Sequence, residues 1–311
     1  MVAKLNFSVG IIIPFYNGQE YIYALFQSLE KEVLNLNYKI FIVDNGSAKI
    51  NKSLLDNLNL NFVYINTDVG IGYGKACNIG YEQCKNENYD YCLILNQDGK
   101  IGENMILNLV ISLRKSHDNI VSVPILKEYD SNQVESFFIE WYLTQIPDFF
   151  SDLLESKFQN TYNLRKASGA CFLFDLKKIE YKFQYLFDPI FYMYFEDEDL
   201  FRRIEYINKK IVLSSNSVFY HKHSNTTDTE NQLTIHKNKI LGQNIYFFKN
   251  LKKSYLLLLI TWLKIEFVIS VSMLINLQLK NLLNRLFITF KTFLLLGKIY
   301  KTRLLEEKFL F

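Results

Sequence analysis

A chain of 311 residues, 49% of them hydrophobic and 22% charged, can bury a full α/β core and is too long to be a small module stapled by disulfides. Its net charge of +3 is too small to argue for nucleic acid, yet residues 251–311 carry ten Lys/Arg against three acids, net +7, leaving −4 for the first 250 residues. The four cysteines, Cys77, Cys84, Cys92 and Cys171, have no C-x-x-C spacing and sit in apolar or helical stretches, which fits reduced core thiols and argues against structural zinc.

The opening run MVAKLNFSVGIIIPFYN lacks the long apolar region and small-residue cleavage site of a signal peptide, so the body is expected to stay in the cytosol. Short runs rich in Ile, Val, Phe and Tyr at 8–14, 39–44, 61–66 and 91–95 predict strands, and 19–34, 51–59 and 73–85 predict the helices between them. This βαβα rhythm predicts a mainly parallel, Rossmann-like sheet covered by helices. A helix at 103–115 and a strand at 120–124 follow. Residues 126–166 lose clear periodicity and are expected to form an irregular insert. A strand at 167–174, a helix opening on Glu196–Asp199 and a strand pair at 210–213 and 217–221 come next. From about Gln232 the chain reads as helix to the end. Its longest apolar stretch, Tyr255 to Leu279, is interrupted by Lys264 and Glu266. A spanning helix would bury both charges, at about 2.5–3.5 kcal/mol for the Lys alone, which favours docking in the plane of a membrane or packing against protein.

In a parallel sheet ligands gather beyond the carboxyl ends of the strands, so the polar residues just after each strand are the ones to inspect. Pro14-Phe15-Tyr16-Asn17 and Asp44-Asn45-Gly46-Ser47 offer a ring to stack on a base and a carboxylate to accept from a base N–H or a ribose hydroxyl, although D-N-G-S alone also reads as a capping turn. The glycines of residues 66–74, leading into a helix with Asn78 and Gly80, let backbone N–H groups approach phosphate. The segment is not G-x-G-x-x-G, so a dinucleotide fold is weakly supported. Asp98 in Asn96-Gln97-Asp98-Gly99 ends a buried strand where a carboxylate can hold Mg²⁺ or Mn²⁺; the plain alternative is a turn. The aromatic run 191–195 precedes Glu196-Asp197-Glu198-Asp199, and apolar surroundings raise the pKa of one such carboxylate, as suits a general base. Asp199 and Arg203 also form a plain i, i+4 pair. His221-Lys222-His223 ends a strand, and either imidazole can meet a metal or a phosphate.

The stretches IIIPFYN, FIVDNGS, NTDVGIGYGKACNIGYEQ, LILNQDGKI, SGACFLF, FYMYFEDEDLFRRI and VFYHKHSNT, in this order, resemble family 2 glycosyltransferases of the GT-A fold, more narrowly the rhamnosyltransferase-like branch of bacterial surface-polysaccharide synthesis. The resemblance spans residues 8–227. It implies a catalytic domain over 1–230, with a donor half to about 100 and an acceptor half to about 230, and a basic, apolar, membrane-associating helical region over 231–311. It assigns Pro14, Tyr16, Asn17 and Asp44 to the nucleotide, Gly70 and Asn78 to the donor pocket, and Asn96, Glu196 and Arg203 to further substrate contacts. Asp98 and His223 are implied as ligands of Mg²⁺ or Mn²⁺, and Asp197 as the base of an inverting transfer.

The implied donor is a dTDP- or UDP-sugar, carrying rhamnose or another hexose. The implied acceptor is a glycan or polyprenyl-linked hydroxyl at the cytoplasmic side of the bacterial inner membrane, where the protein sits peripherally. Two departures are visible: Asn96 replaces the first acid of the family's D-x-D, and Gln243-Asn244 stands where Arg-Asn is frequent. Asn96 keeps open a catalytically degenerate protein that binds nucleotide-sugar without turnover. A nucleotidyltransferase or dehydrogenase fits less well, because P-F-Y-N stands where a glycine-rich loop is needed. Pairing of two copies through the aromatic-rich helices beyond 232 stays open.

Overall fold

The short apolar runs pair side by side in the computed structural model, which describes residues 6–33, 36–47, 60–179, 183–222 and 232–310. Strands β1 (Ser8–Phe15), β2 (Asn37–Asp44), β3 (Phe62–Asn66) and β4 (Tyr91–Leu95) lie parallel in the order β3-β2-β1-β4. Every residue of β4 is buried, as a central strand covered on both faces requires. Helices α1 (Gln19–Glu32) and α2 (Tyr73–Asn86) follow β1 and β3. The helix predicted at 51–59 lies outside the described residues.

Beyond β4 the sheet becomes mixed. The chain continues through β5 (Gly99–Ile101), α3 (Met105–Arg114), β6 (Asn119–Glu128), α4 (Ser136–Trp141), α5 (Phe149–Leu154), β7 (Thr161–Leu164), β8 (Cys171–Asp175) and α6 (Leu176–Ile179). Helix α7 (Glu196–Tyr206) and β9 (Lys210–His221) follow. β8 runs antiparallel between β4 and β6, β9 lies parallel to β6, and both β7 and β5 pair with the far edge of β9. All four cysteines are buried free thiols.

Three expectations change. Residues 126–166 are not irregular: they hold the end of β6, two short helices, a 3₁₀ turn at Leu143–Gln145, and β7. The strand expected from 167 starts only at Cys171, because 167–170 forms a turn. The expected pair at 210–213 and 217–221 is one strand, β9, whose polar 214–217 stretch is absorbed by a register shift opposite Pro124/Ile125. Its extra polar groups are satisfied sideways: Ser215 N–H donates to Asn160 O (3.1 Å) and Ser217 Oγ to Met105 O (3.3 Å).

The chain ends in α8 (Gln232–Phe248), α9 (Tyr255–Ile275) and α10 (Leu279–Leu310). A second apolar cluster, with Ile190, Phe191, Phe248, Trp262 and Ile299 among its members, joins them to the segment ahead of α7. Among the described residues α9 is the one helix long and apolar enough to cross a membrane by length and composition. Glu266 within it is not a bare charge: Arg285 Nε donates to it at 2.8 Å and Thr289 Oγ1 at 2.9 Å, while Lys264 faces outward.

Candidate active site

The rim at the carboxyl ends of β1–β4 is held together by side chains of the four expected stretches. Asp44 is buried where β2 ends; it accepts Ser47 N–H (2.9 Å) and the hydroxyl of Tyr64. Burial and this bond to Asp44 both push the Tyr64 phenol above its ordinary range. Asn45 Oδ1 accepts the N–H groups of Ile71 (2.7 Å) and Gly72 (3.0 Å), fixing the glycine segment to β2. Gly72 has φ +94°, and a Cβ there would meet Tyr192 O at 2.1 Å, so the backbone conformation and the close approach both demand glycine. Tyr16 and Gln97 exchange two hydrogen bonds of 2.8 Å, tying the end of β1 to the loop after β4. The Tyr16 ring is 51% exposed, free to stack on a planar ligand.

Asp98, buried at the end of β4, lies 3.4 Å from Nε2 of His221, the last residue of β9. Glu135 approaches the other ring nitrogen at 3.3 Å. Burial disfavours the imidazolium, but the carboxylates of Asp98 and Glu135, accepting from the ring and attracting its charge, outweigh it and hold the His221 pKa at about 9. Asn96 Nδ2 is 3.4 Å from the same Nε2. Carboxylate, amide oxygen and imidazole are donor types that suit Mg²⁺ or Mn²⁺, so the residues present fit such an ion once His221 has released its proton.

Asp197 opens α7 from a backbone cradle. Its Oδ2 accepts Gly169 N–H (3.0 Å) and its Oδ1 accepts Glu198 N–H (2.9 Å). The turn that supplies Gly169 is braced on both sides: Tyr73 hydroxyl donates to Gly169 O and Ser168 N–H donates to Tyr142 hydroxyl, each at 2.7 Å. Ala170 O in turn accepts Asn96 N–H (2.9 Å), so one four-residue turn links the loop of Asp98 to Asp197. Burial raises the Asp197 pKa against these donors. Glu196 beside it is buried and pushed up to about 8, by burial first and by the Asp197 charge second, and its Oε2 has no hydrogen-bond partner among the described residues. Tyr194 and Phe195, just before, both take left-handed backbone (φ +71° and +69°), which costs about 1–3 kcal/mol each.

Asp44, Tyr16, Asn17, Asn96, Asp98, Glu196 and Asp197 therefore share one connected rim, Asn17 through its N–H to Ser47 Oγ (3.0 Å). Gly70 is exposed beside the Tyr192 hydroxyl, 3.4 Å from where its Cβ would lie. Others lie back from the rim. Pro14 is buried within β1 opposite Val43. Asn78 is engaged by the main chain of Phe187, donating at 2.7 Å and accepting at 2.9 Å. Arg203 is 2% exposed and donates to Asp199 (3.1 Å) and Leu186 O (2.6 Å). His223 lies outside the described residues, and His221 is the imidazole seen at Asp98. The sequence reading missed Glu135, which lies in the stretch without periodicity, and Gln97, inside a quoted motif but given no role. Asp188, Asp199 and Glu306 gather their carboxylates closely enough to hold an ion, but Lys249 Nζ donates to all three and fills the position.

A family model described as glycosyl transferase family 2 matches residues 10–180, over half of the chain. No curated protein sequence matches it. Among solved structures, GalNAc-T7 with UDP, GalNAc and Mn²⁺ aligns at TM-score 0.59 and 15% identity, over 80% of this chain and 52% of that one. Mannosyltransferase PcManGT from Pyrobaculum calidifontis, with GDP-Man and Mn²⁺, aligns at 0.57 and 12%, over 79% and 64%. TarS 1-349 from S. aureus, with UDP-GlcNAc, aligns at 0.53 and 15%, over 81% and 69%. The chain spans about half the length of the first of these, and identities this low show a shared fold.

Proposed function

This chain belongs to glycosyl transferase family 2 and is a glycosyltransferase of the GT-A fold, and from that premise we propose that it transfers one hexose from a dTDP- or UDP-sugar, with inversion, to a glycan or polyprenyl-linked hydroxyl. The observation that carries this reading is the turn at 168–170, whose backbone holds Asp197 on one side and the loop of Asp98 on the other. Asp197 accepts the proton of the acceptor hydroxyl, and its raised pKa favours taking it. Tyr16 and Asp44 receive the base and ribose. Asp98, with Asn96 and His221, would hold Mg²⁺ or Mn²⁺, which would supply positive charge against that of a diphosphate leaving group. The Mn²⁺ in the structures of GalNAc-T7 and PcManGT supports this assignment.

The rhamnosyltransferase-like stretches support rhamnose and a place in bacterial surface-polysaccharide synthesis. Exposed apolar side chains on α9 and α10, with ten Lys/Arg beyond residue 250, support peripheral docking on the cytoplasmic face of the membrane. The test is release of nucleoside diphosphate from a panel of UDP-, dTDP- and GDP-sugars with Mg²⁺ or Mn²⁺. Turnover with one donor, lost in Asp197→Asn, is expected; turnover untouched by that substitution contradicts the role of Asp197. One observation favours a second reading, a degenerate donor-binding protein: Asn96 is uncharged and the His221 imidazolium sits against Asp98. Saturable donor binding without release, whatever the acceptor offered, is its signature.

A further inference from the structure

We infer that Lys249, at the end of α8 and away from the cleft rim, is a positioning residue for Asp197; the inference rests on the reading of Asp197 as the base. Lys249 is fully buried, and its ammonium donates to Asp188, to Asp199 Oδ2 (3.0 Å) and to Glu306 Oε1 (2.6 Å). Those carboxylates come from the segment before α7, from the first turn of α7 and from α10. Arg203 and Arg202 of α7 complete the cluster: Arg203 Nε lies 3.1 Å from Asp199 and 3.4 Å from Glu306, and Arg202 Nη2 lies 3.0 Å from the other Asp199 oxygen. Three carboxylates thus meet three cations, a pairing that offsets part of the cost of taking such groups out of water.

The balance is spent at one place, the first turn of α7. Asp199 stands two residues after Asp197 and takes all three cations, which hold its pKa at about 2 although burial opposes this. α8 also presses directly on the corner before the base. A Cβ on Gly242 would lie 2.6 Å from Tyr194 O and 3.2 Å from the Phe195 ring, so α8 seats against the two left-handed residues that aim Glu196 and Asp197. Arg202 donates to Tyr246 O (2.8 Å) and stacks on the Tyr246 ring at 3.8 Å, adding a third tie between α7 and α8. Each of these residues lies past residue 180, where the family match ends. The helices after 232 therefore fix where the base points, whereas Tyr16, Asp44, Asn45 and Asp98 of the donor rim stand on segments before residue 100.

The test uses the full chain and the panel donor it turns over. Lys249→Met combined with Glu306→Gln removes one charge of each sign, so the remaining buried ions stay balanced; Gly242→Ala pushes on Tyr194 O and touches no charge. Both variants are expected to bind the donor with wild-type affinity by calorimetry. Both are expected to release nucleoside diphosphate about 10²-fold more slowly at saturating donor, the scale of a ~1 Å misplacement, well below their melting temperatures. Wild-type turnover in either folded variant overturns the inference, and so does a parallel loss of donor affinity. Asp197→Asn, run alongside, separates the two claims: full turnover there sinks the base assignment itself.

Discussion

Asp197 and Glu196 are adjacent in sequence and differ in what surrounds them: the first has two backbone N–H donors, the second an oxygen with none among the described residues. Asp197→Asn keeps the size and loses the basicity, so kcat is expected to fall by about 10²–10⁴-fold while calorimetric donor affinity holds. Since burial raises the Asp197 pKa, turnover is lost as pH falls through a value above the ordinary aspartate range. Glu196 yields a stability prediction of definite sign. Its folded pKa of about 8 exceeds the unfolded one, so between the two the folded state holds the extra proton and stability falls as pH rises. Glu196→Gln removes that dependence, by ~1.4 kcal/mol per pH unit at most, and its melting temperature should gain on wild type from pH 5 to 8. Tyr16, Asp44 and Asp98 are legible in the sequence because each ends or closely follows a short apolar strand. Glu135 is not, because its partner His221 is 86 residues away and nothing periodic surrounds it.

At the scale of elements, the glycine segment between β3 and α2 works as a clamp, with Asn45 holding one side and Tyr192 the other. Gly72→Ala must push its Cβ into Tyr192 O and take an unfavourable φ, so a loss of about 1–3 kcal/mol is expected in denaturant unfolding, with weaker donor binding. A neutral outcome would mean that the segment moves freely. The parallel strands and their helices read clearly because burial on both faces leaves unbroken apolar runs. β9 reads as two strands because Ser214-Ser215-Asn216-Ser217 looks like a turn, and it is held as strand by long-range contacts from α3 and residues 159–160 together with the pairing of Ser214 to β6 and β7. The elements within 126–166 are short and pack through aromatic pairs such as Phe138–Tyr142, which leave no hydrophobic period to find.

For the molecule as a whole, the basic tail and the catalytic body are one assembly through the Lys249 cluster, whose members span residues 188–306 and share no motif that a sequence reading could find. The proposed docking on lipid makes α10 the element to test: Lys280, Lys291 and Lys298, spaced eleven and seven residues, fall on one helical row beside exposed Leu283, Leu286, Phe290 and Leu294. Changing these lysines to Gln should weaken sedimentation with phosphatidylserine vesicles by about 10²-fold at low salt, at about 1 kcal/mol per Lys. Unchanged binding would remove lipid charge from the account. The central claim, that Asp44, Asp98 and Asp197 serve one diphosphate-sugar site, is tested most directly by anomalous diffraction from crystals soaked with Mn²⁺ and a nucleoside diphosphate. The account predicts a manganese peak in bonding contact with the Asp98 carboxylate and the diphosphate, the base beside Tyr16 and Asp44, and Asp197 facing the open side of the diphosphate. A nucleotide bound elsewhere, or manganese away from Asp98, would contradict it.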